Sequence, residues 1–80
     1  MAGDERVNFF TGEAEARAMA ALKIPLFVVP GGVDEGLLYM RVFLVGVARK
    51  EFLVSVPNKV HPRDLDAEYD AFIGKVACLL

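Results

Sequence analysis

The sequence predicts an α+β fold of two layers, in the order helix, three-stranded antiparallel meander and C-terminal helix. Apolar residues recur at helical spacing near both ends of the chain, and three β-rich runs separated by turn residues lie between them. With 80 residues, the chain is expected to form a single domain spanning residues 1–80. Both helices are expected to pack on the meander, because each apolar face has to be buried against another element.

The first helix is predicted over residues 12–22. Its apolar positions recur at helical spacing and are mostly alanine: Ala14, Ala18, Ala21 and Leu22. Thr11 precedes this run and is the expected N-cap, since its hydroxyl can accept a hydrogen bond from the first turn.

A hairpin is predicted to follow this helix. Residues 24–29 are β-rich, but Pro25 lacks a backbone donor, which places this run at a sheet edge or makes Pro25 its entry residue. The strand is therefore expected to be short. Residues 30–36 combine a proline with three glycines and indicate a turn with a flexible tip. Residues 37–47 are then long enough for a strand of above-average length.

This second strand is apolar on both of its alternating faces. One set contains Tyr39, Arg41 and Phe43, while the other set carries no polar side chain. We therefore expect a central strand that is covered on both sides, because strands of a sheet with one solvent-exposed face alternate apolar and polar residues. Arg41 interrupts its face, so its guanidinium is expected to emerge at a sheet end, pair with an acid or meet a partner.

The chain is predicted to end in a helix. A third, amphipathic strand at 51–56 and a loop at 57–62 precede it, and Pro62 suits its first turn. One apolar stripe of this helix is typical of packing on a core: Leu65, Tyr69, Phe72, Ile73, Val76, Leu79 and Leu80. A second stripe, nearly opposite, consists of small residues that let another backbone come close: Ala67, Ala71, Gly74 and Cys78.

The composition indicates a partner surface. Counting glycine with the apolar residues and leaving tyrosine out gives about 61% of the chain, against a usual 45–50%. A domain of this size buries only a little over about 60% of its unfolded surface, so some apolar surface is expected to stay exposed. If both predicted helices share one face of the sheet, the other apolar face needs a partner. If they lie on opposite faces, the small-residue stripe of the last helix still has no element packed against it.

The ends of the chain and its cysteine content indicate a cytoplasmic protein. The first residues carry Asp4, Glu5 and Arg6 without an apolar core behind them, so neither a secretory signal nor a transit peptide is expected. Cys78 is the single cysteine, which excludes an internal disulfide and fits a reducing compartment. The longest apolar stretch has eleven residues and a membrane helix needs about 20, so no membrane association is expected.

Residues suited to catalysis are scarce. His61 is the single histidine, lies beside Pro62 and is expected to cap or flank the start of the last helix. Acids at Asp64, Asp66 and Asp70 suit the positive end of a helix dipole better than a calcium loop, whose central glycine and distal glutamate are missing. Because no phosphate, metal or cofactor motif is found either, the sequence predicts a non-enzymatic protein without metal or cofactor.

Basic residues cluster in the second half of the chain. Besides Arg41, the candidates for a basic patch are Arg49, Lys50, Lys59 and Arg63. Whether they form one surface depends on how the meander is arranged. The net charge of −2 argues against electrostatic capture of nucleic acid, so nucleic acid is an unlikely partner and an acidic protein a better one.

These observations favour a protein–protein interaction module that acts by surface docking. Its expected partner is itself, as a homodimer, or a larger protein complex, in which it would be an assembly subunit or an inhibitor encoded by a mobile element. Its interface is predicted to involve Tyr39, Arg41, Ala67, Ala71, Gly74 and Cys78. The alternative is a small dimeric enzyme or ligand-binding domain with a hydrophobic pocket between sheet and helices, in which His61, Tyr39 or Arg41 contacts a ligand.

Overall fold

The computed structural model describes residues 5–45 and 50–80 and has the predicted α+β architecture. Two α-helices pack on a three-stranded antiparallel sheet, and two very short strands pair with each other outside it. In chain order the elements are β1 (Val7–Asn8), α1 (Thr11–Leu22), β2 (Leu26–Asp34), β3 (Leu37–Leu44), β4 (Lys50–Pro57), β5 (Lys59–Val60), a single 3-10 turn (Pro62–Asp64) and α2 (Leu65–Cys78).

The sheet has the predicted meander topology, with strand order β2-β3-β4. Leu26 on β2 lies opposite Leu44 on β3, and Val42 on β3 lies opposite Phe52 on β4. The central position predicted for the second strand is thereby confirmed. Strands β2 and β4 form the two edges.

Both helices pack on the same face of this sheet, which decides between the two arrangements that the sequence allowed. Their buried side chains meet those of alternate strand residues in one hydrophobic core: Phe9, Ala14, Ala18, Leu26, Leu38, Met40, Val42, Leu44, Val54, Val56, Tyr69, Phe72 and Val76. The expectation that β3 is covered on both sides is wrong for the isolated chain. Helices cover the face of Met40 and Val42, and the face of Tyr39 and Phe43 carries no helix in the described chain.

The hairpin between β2 and β3 differs from the expected loose turn. Strand β2 continues through the proline and the first two glycines to Asp34, with a shift of register between Pro30 and Val33. The turn itself consists of Glu35 and Gly36, whose positive φ angles of 52° and 78° match a type I′ turn. Gly31 is needed within the strand, because a Cβ there would lie 2.7 Å from the carbonyl oxygen of Tyr39.

The segments ahead of the two helices are joined by β1 and β5, which the sequence did not predict. Val7 pairs with Val60 and Asn8 pairs with Lys59, so part of the expected loop at 57–62 is a strand. The Phe9 N–H extends this ladder by donating to the carbonyl oxygen of Asn58 over 2.8 Å. The start of α1 is thereby held close to the start of α2.

Helix ends show two differences from the sequence prediction. Phe10, and not Thr11, is the N-cap of α1, and no side chain bonds the first turn there. At the other end of the chain, α2 stops at Cys78, so Leu79 and Leu80 are exposed and do not extend its buried stripe. His61 precedes the 3-10 turn as expected, where its Nδ1 accepts a hydrogen bond from the Arg63 N–H at 3.3 Å.

A charged cluster joins the outer sides of the two helices. Arg17 on α1 bonds Glu13 through Nε at 2.8 Å and Asp66 on α2 through a terminal nitrogen at 3.0 Å. Its guanidinium also lies 4.6 Å from the centre of the Tyr69 ring. The hydrogen bond to Glu13, followed by the contacts with Asp66, outweighs desolvation and raises the pKa of Arg17 above its ordinary value.

Candidate interaction surfaces

The face of the sheet that carries no helix is strongly apolar. We call it the open sheet face and define it by Phe27, Val29, Tyr39, Arg41, Phe43 and Leu53, which the register of the three strands places side by side. Phe27 is 57% exposed, Val29 46% and Leu53 71%, although side chains of these types are usually buried. The open sheet face therefore presents a largely apolar surface to solvent, with Arg41 between Val29 and Leu53.

One ion pair lies on the open sheet face. Arg41 is exposed there, and its Nε lies 3.6 Å from Oε2 of Glu51 on the neighbouring strand β4. Of the three alternatives expected for Arg41, the structure thus shows pairing with an acid. Tyr39, two residues earlier on the same face, is half-buried, so the two predicted interface residues of β3 lie side by side on this face.

The small-residue stripe of α2 lies on a different surface. Ala67, Ala71, Gly74 and Cys78 are all exposed, so the helix does present them away from the core as predicted. The last two line a groove of about 620 Å³ between α2 and the edge of β4. We call it the β4–α2 groove, and its remaining lining residues are Leu53, Val54, Ser55, Lys75 and Leu79.

The free edge of β4 borders this groove. Lys75 extends across it from α2 and donates a hydrogen bond from Nζ to the carbonyl oxygen of Ser55 over 2.8 Å. At the opposite edge of the sheet, Glu15 on α1 accepts a hydrogen bond from the Val28 N–H of β2, also at 2.8 Å. Neither contact was predicted, because each joins a helix side chain to a backbone atom distant in sequence.

The candidate basic residues do not form one described patch. Lys50 begins β4 and Lys59 follows its end, so the eight-residue strand, at about 3.3 Å per residue, separates them. Lys59 and Arg63 line a shared cleft of about 400 Å³, together with Arg6, His61 and the acids Asp64 and Glu68. Arg49 lies outside the described residues.

Within residues 5–45 and 50–80, the structure keeps the histidine and the cysteine apart. His61 and Cys78 lie at opposite ends of α2, and the His61 Nδ1 is already occupied by the Arg63 N–H. Asp66, at the start of the helix, pairs with Arg17. The exposed surfaces can bury apolar side chains against another molecule and pair backbone groups with it.

Comparison with protein-family models, with curated proteins and with solved structures found no match for the chain. Neither helix of the described ranges is long and apolar enough to cross a membrane.

Proposed function

We propose that this protein is a non-enzymatic interaction module that docks another protein onto its open sheet face. Its partner is a second copy of the chain or a larger protein complex, of which it would be an assembly subunit or an inhibitor. The observation that carries this proposal is the placement of both helices on one face of the sheet, which leaves Phe27, Val29 and Leu53 exposed on the other. Exposed apolar surface of this kind is typical of protein–protein contacts.

The remaining residues of the face fit a docking surface. Arg and Tyr are enriched among the residues that contribute most to binding, and Tyr39 and Arg41 are neighbours here on the same strand. Glu51 holds the Arg41 guanidinium without burying it, so both charges stay available to a partner. Arg41 lies between Val29 and Leu53, so a partner on this face would contact the guanidinium together with the apolar side chains around it.

Light scattering after size-exclusion chromatography tests this proposal for a second copy of the chain. Phe27→Asp places a charge beside Phe43 on the open sheet face and is expected to abolish any association made there. Phe10→Asp is the matched control, because Phe10 is 65% exposed in the helix layer, where an aspartate suits the N-cap position of α1. If both variants keep the oligomeric state of the wild type, the open sheet face is not the site of self-association.

Affinity capture from the native host extends the test to a larger complex. Partners retained by the wild type and by Phe10→Asp, but lost with Phe27→Asp, would support docking on the open sheet face. Partners that all three proteins retain equally would contradict it.

A small-ligand site in the β4–α2 groove is the second candidate function. Its volume of about 620 Å³ lies within the range of about 300–1,000 Å³ that ligand pockets have, and its lining is mostly apolar. The test is binding of a hydrophobic dye to the wild type and to Gly74→Leu, whose added side chain would enter the groove.

A further inference from the structure

We propose that the free edge of β4 pairs, antiparallel, with the same strand of a second copy of this chain. The two three-stranded sheets would then form one continuous six-stranded sheet with both open sheet faces on the same side. This inference goes beyond the proposed function, because it assigns a second surface and commits to its occupant. It rests on the proposed function in one respect, namely that the chain acts by associating with a second copy of itself.

Backbone groups along the β4 edge point away from the sheet at every second residue. The carbonyl oxygen of Ser55 does so, since it accepts the hydrogen bond from Lys75 outside the ladder with β3. In an antiparallel strand the N–H and C=O of one residue point to the same side, and this direction alternates along the chain. Glu51 and Leu53 therefore also present their backbone groups outward. Leu53, at 71% exposure, stands at the middle of this row.

The β2 edge, in contrast, is closed to another strand. Its outward row contains Leu26, Val28 and Pro30, of which Pro30 has no N–H and Val28 already donates to Glu15. Helix α1 also packs against β2. Natural proteins protect sheet edges with proline, charged side chains and covering helices, and all three are found at β2. On β4 the charged and proline residues stand at the two ends of the strand, at Lys50, Glu51 and Pro57. Among the described residues, the Lys75 contact at Ser55 is the one hydrogen bond that a helix side chain makes to the outward backbone groups of β4.

The sequence of β4 selects one register for self-pairing. With Leu53 on the two-fold axis, Glu51 lies opposite Ser55 of the second copy, and Phe52 lies opposite Val54 of the second copy. No like charges then face each other, and apolar side chains pair on both faces. With Glu51 on the axis, two carboxylates would lie directly opposite, which is destabilising. With Ser55 on the axis, Leu53 would lie opposite Pro57, which cannot donate a hydrogen bond.

The Lys75 contact is compatible with this register. Lys75 donates to the Ser55 carbonyl oxygen in the single chain, and the N–H of Glu51 of the second copy would replace it as the donor. The Glu51 carboxylate stays beside Arg41 on the open sheet face, whereas Lys75 reaches the edge from the helix side, so the two charges do not compete for one position.

The β4–α2 groove leaves room for this arrangement on the helix side. Antiparallel pairing around an axis perpendicular to the sheet places both helix layers on the same face, so the two α2 helices face each other across the new strand pair. Gly74 and Cys78 line the groove on that side, and a Cβ built at Gly74 meets no atom within 4 Å. Small residues there let the two helices approach closely.

The test compares two substitutions at one residue by light scattering, from low micromolar to the highest soluble concentration. Leu53→Pro removes an outward N–H without removing a hydrogen bond to β3, and proline is tolerated at such edge positions. Leu53→Ala removes the side chain and keeps the N–H. We expect a dimeric wild type, a Leu53→Ala variant that still dimerises and a Leu53→Pro variant that is monomeric. A monomeric wild type, a dimeric Leu53→Pro or a monomeric Leu53→Ala would overturn the inference.

Hydrogen exchange keeps the inference testable if Leu53→Pro does not fold. In the wild type, the amides of Leu53 and Ser55 are expected to gain protection as the protein concentration rises, while the amide of Leu26 on the β2 edge does not. Equal protection at all concentrations would overturn the inference. Phe27→Asp separates the two proposals, because a dimer lost in Phe27→Asp but kept in Leu53→Pro would place self-association on the open sheet face and leave the β4 edge unpaired.

Discussion

The guanidinium of Arg17 lies over the ring of Tyr69, 4.6 Å from its centre, and bonds Asp66 three residues before that tyrosine. Tyr69 is buried and its Oη accepts a hydrogen bond from the Phe10 N–H at 3.3 Å. The cation of α1 therefore holds the first turn of α2 while the tyrosine of α2 holds the start of α1. This reciprocal contact links the two helices.

Arg17→Met is expected to lower the melting temperature, because it removes the contacts to Asp66 and to the Tyr69 ring while keeping an unbranched apolar side chain. Thermal unfolding at neutral pH measures the effect. Arg41→Met is the matched control, since its single pair with Glu51 spans 3.6 Å between two exposed groups, and its effect is expected to be smaller. Equal melting temperatures for the two variants would contradict this role of Arg17.

The stabilisation by Arg17 is also expected to be independent of pH near neutrality. A raised pKa contributes stability that is fully present below the ordinary value of arginine and is lost only as the pH rises through the raised value. The difference in melting temperature between the wild type and Arg17→Met should therefore stay constant from neutral to mildly alkaline solution. A difference that disappears within that range would show that another group is responsible.

Phe72→Ala is expected to remove a large part of the stability of the fold. Phe72 is fully buried in the core and packs edge-on against Phe9 at 6.2 Å between ring centres. Truncating a buried phenylalanine costs about 3–5 kcal/mol, whereas a domain of this length is stable by roughly 4–12 kcal/mol. Urea unfolding measures the change. Leu53→Ala, at the most exposed large hydrophobic side chain, should change the free energy of unfolding of the monomer by less than about 0.5 kcal/mol.

Alanine at two glycines is expected to have opposite effects on stability. Gly74 is within α2 and open space surrounds it, so Gly74→Ala should stabilise the monomer by about 0.4–1 kcal/mol by restricting the unfolded chain. At Gly31 the added methyl would meet the Tyr39 carbonyl oxygen at 2.7 Å, so Gly31→Ala should destabilise by more than that amount. Chemical denaturation measures the free energy of unfolding of both variants. A stabilised Gly31→Ala would contradict the close approach of β2 and β3.

Glu15→Ala is expected to open the β2 edge. The Val28 N–H would lose its acceptor, so its hydrogen exchange should become faster while that of the neighbouring Phe27 amide, which faces β3, is unchanged. Glu15→Gln is the control, because its amide oxygen can accept the same hydrogen bond. If the Val28 amide exchanges equally fast in the wild type and in both variants, Glu15 does not protect this edge.

Local sequence patterns predicted the main elements well. The spacing of Ala14 and Ala18, and that of Tyr69, Phe72 and Val76, identified the buried sides of both helices correctly. The alternation along β3 placed Tyr39 and Arg41 on one face and predicted the central strand. These patterns arise from burial against a neighbouring layer, which a window of a few turns already reflects.

Other features depend on contacts that a local window does not contain. Proline and glycine at 30–32 indicated a turn, yet the backbone continues as a strand because the turn forms at Glu35 and Gly36. The two-residue strands β1 and β5 are too short to show any periodicity. Which face of the sheet the helices cover was also undetermined, because both faces of β3 are apolar. The open sheet face and the β4 edge are therefore visible only in the structure.

The positions of the two tyrosines give the molecule separate spectroscopic reporters. The chain contains two tyrosines and no tryptophan, so their emission is not masked by an indole. Tyr69 is buried against Phe9 at 4.8 Å between ring centres, and its signal reports whether the core is assembled. Tyr39 stands half-buried on the open sheet face, and its quenching by a small solute reports whether that face is occupied. Unlabelled protein can thus distinguish loss of folding from loss of docking, through Tyr39→Phe and Tyr69→Phe variants that each leave one emitter.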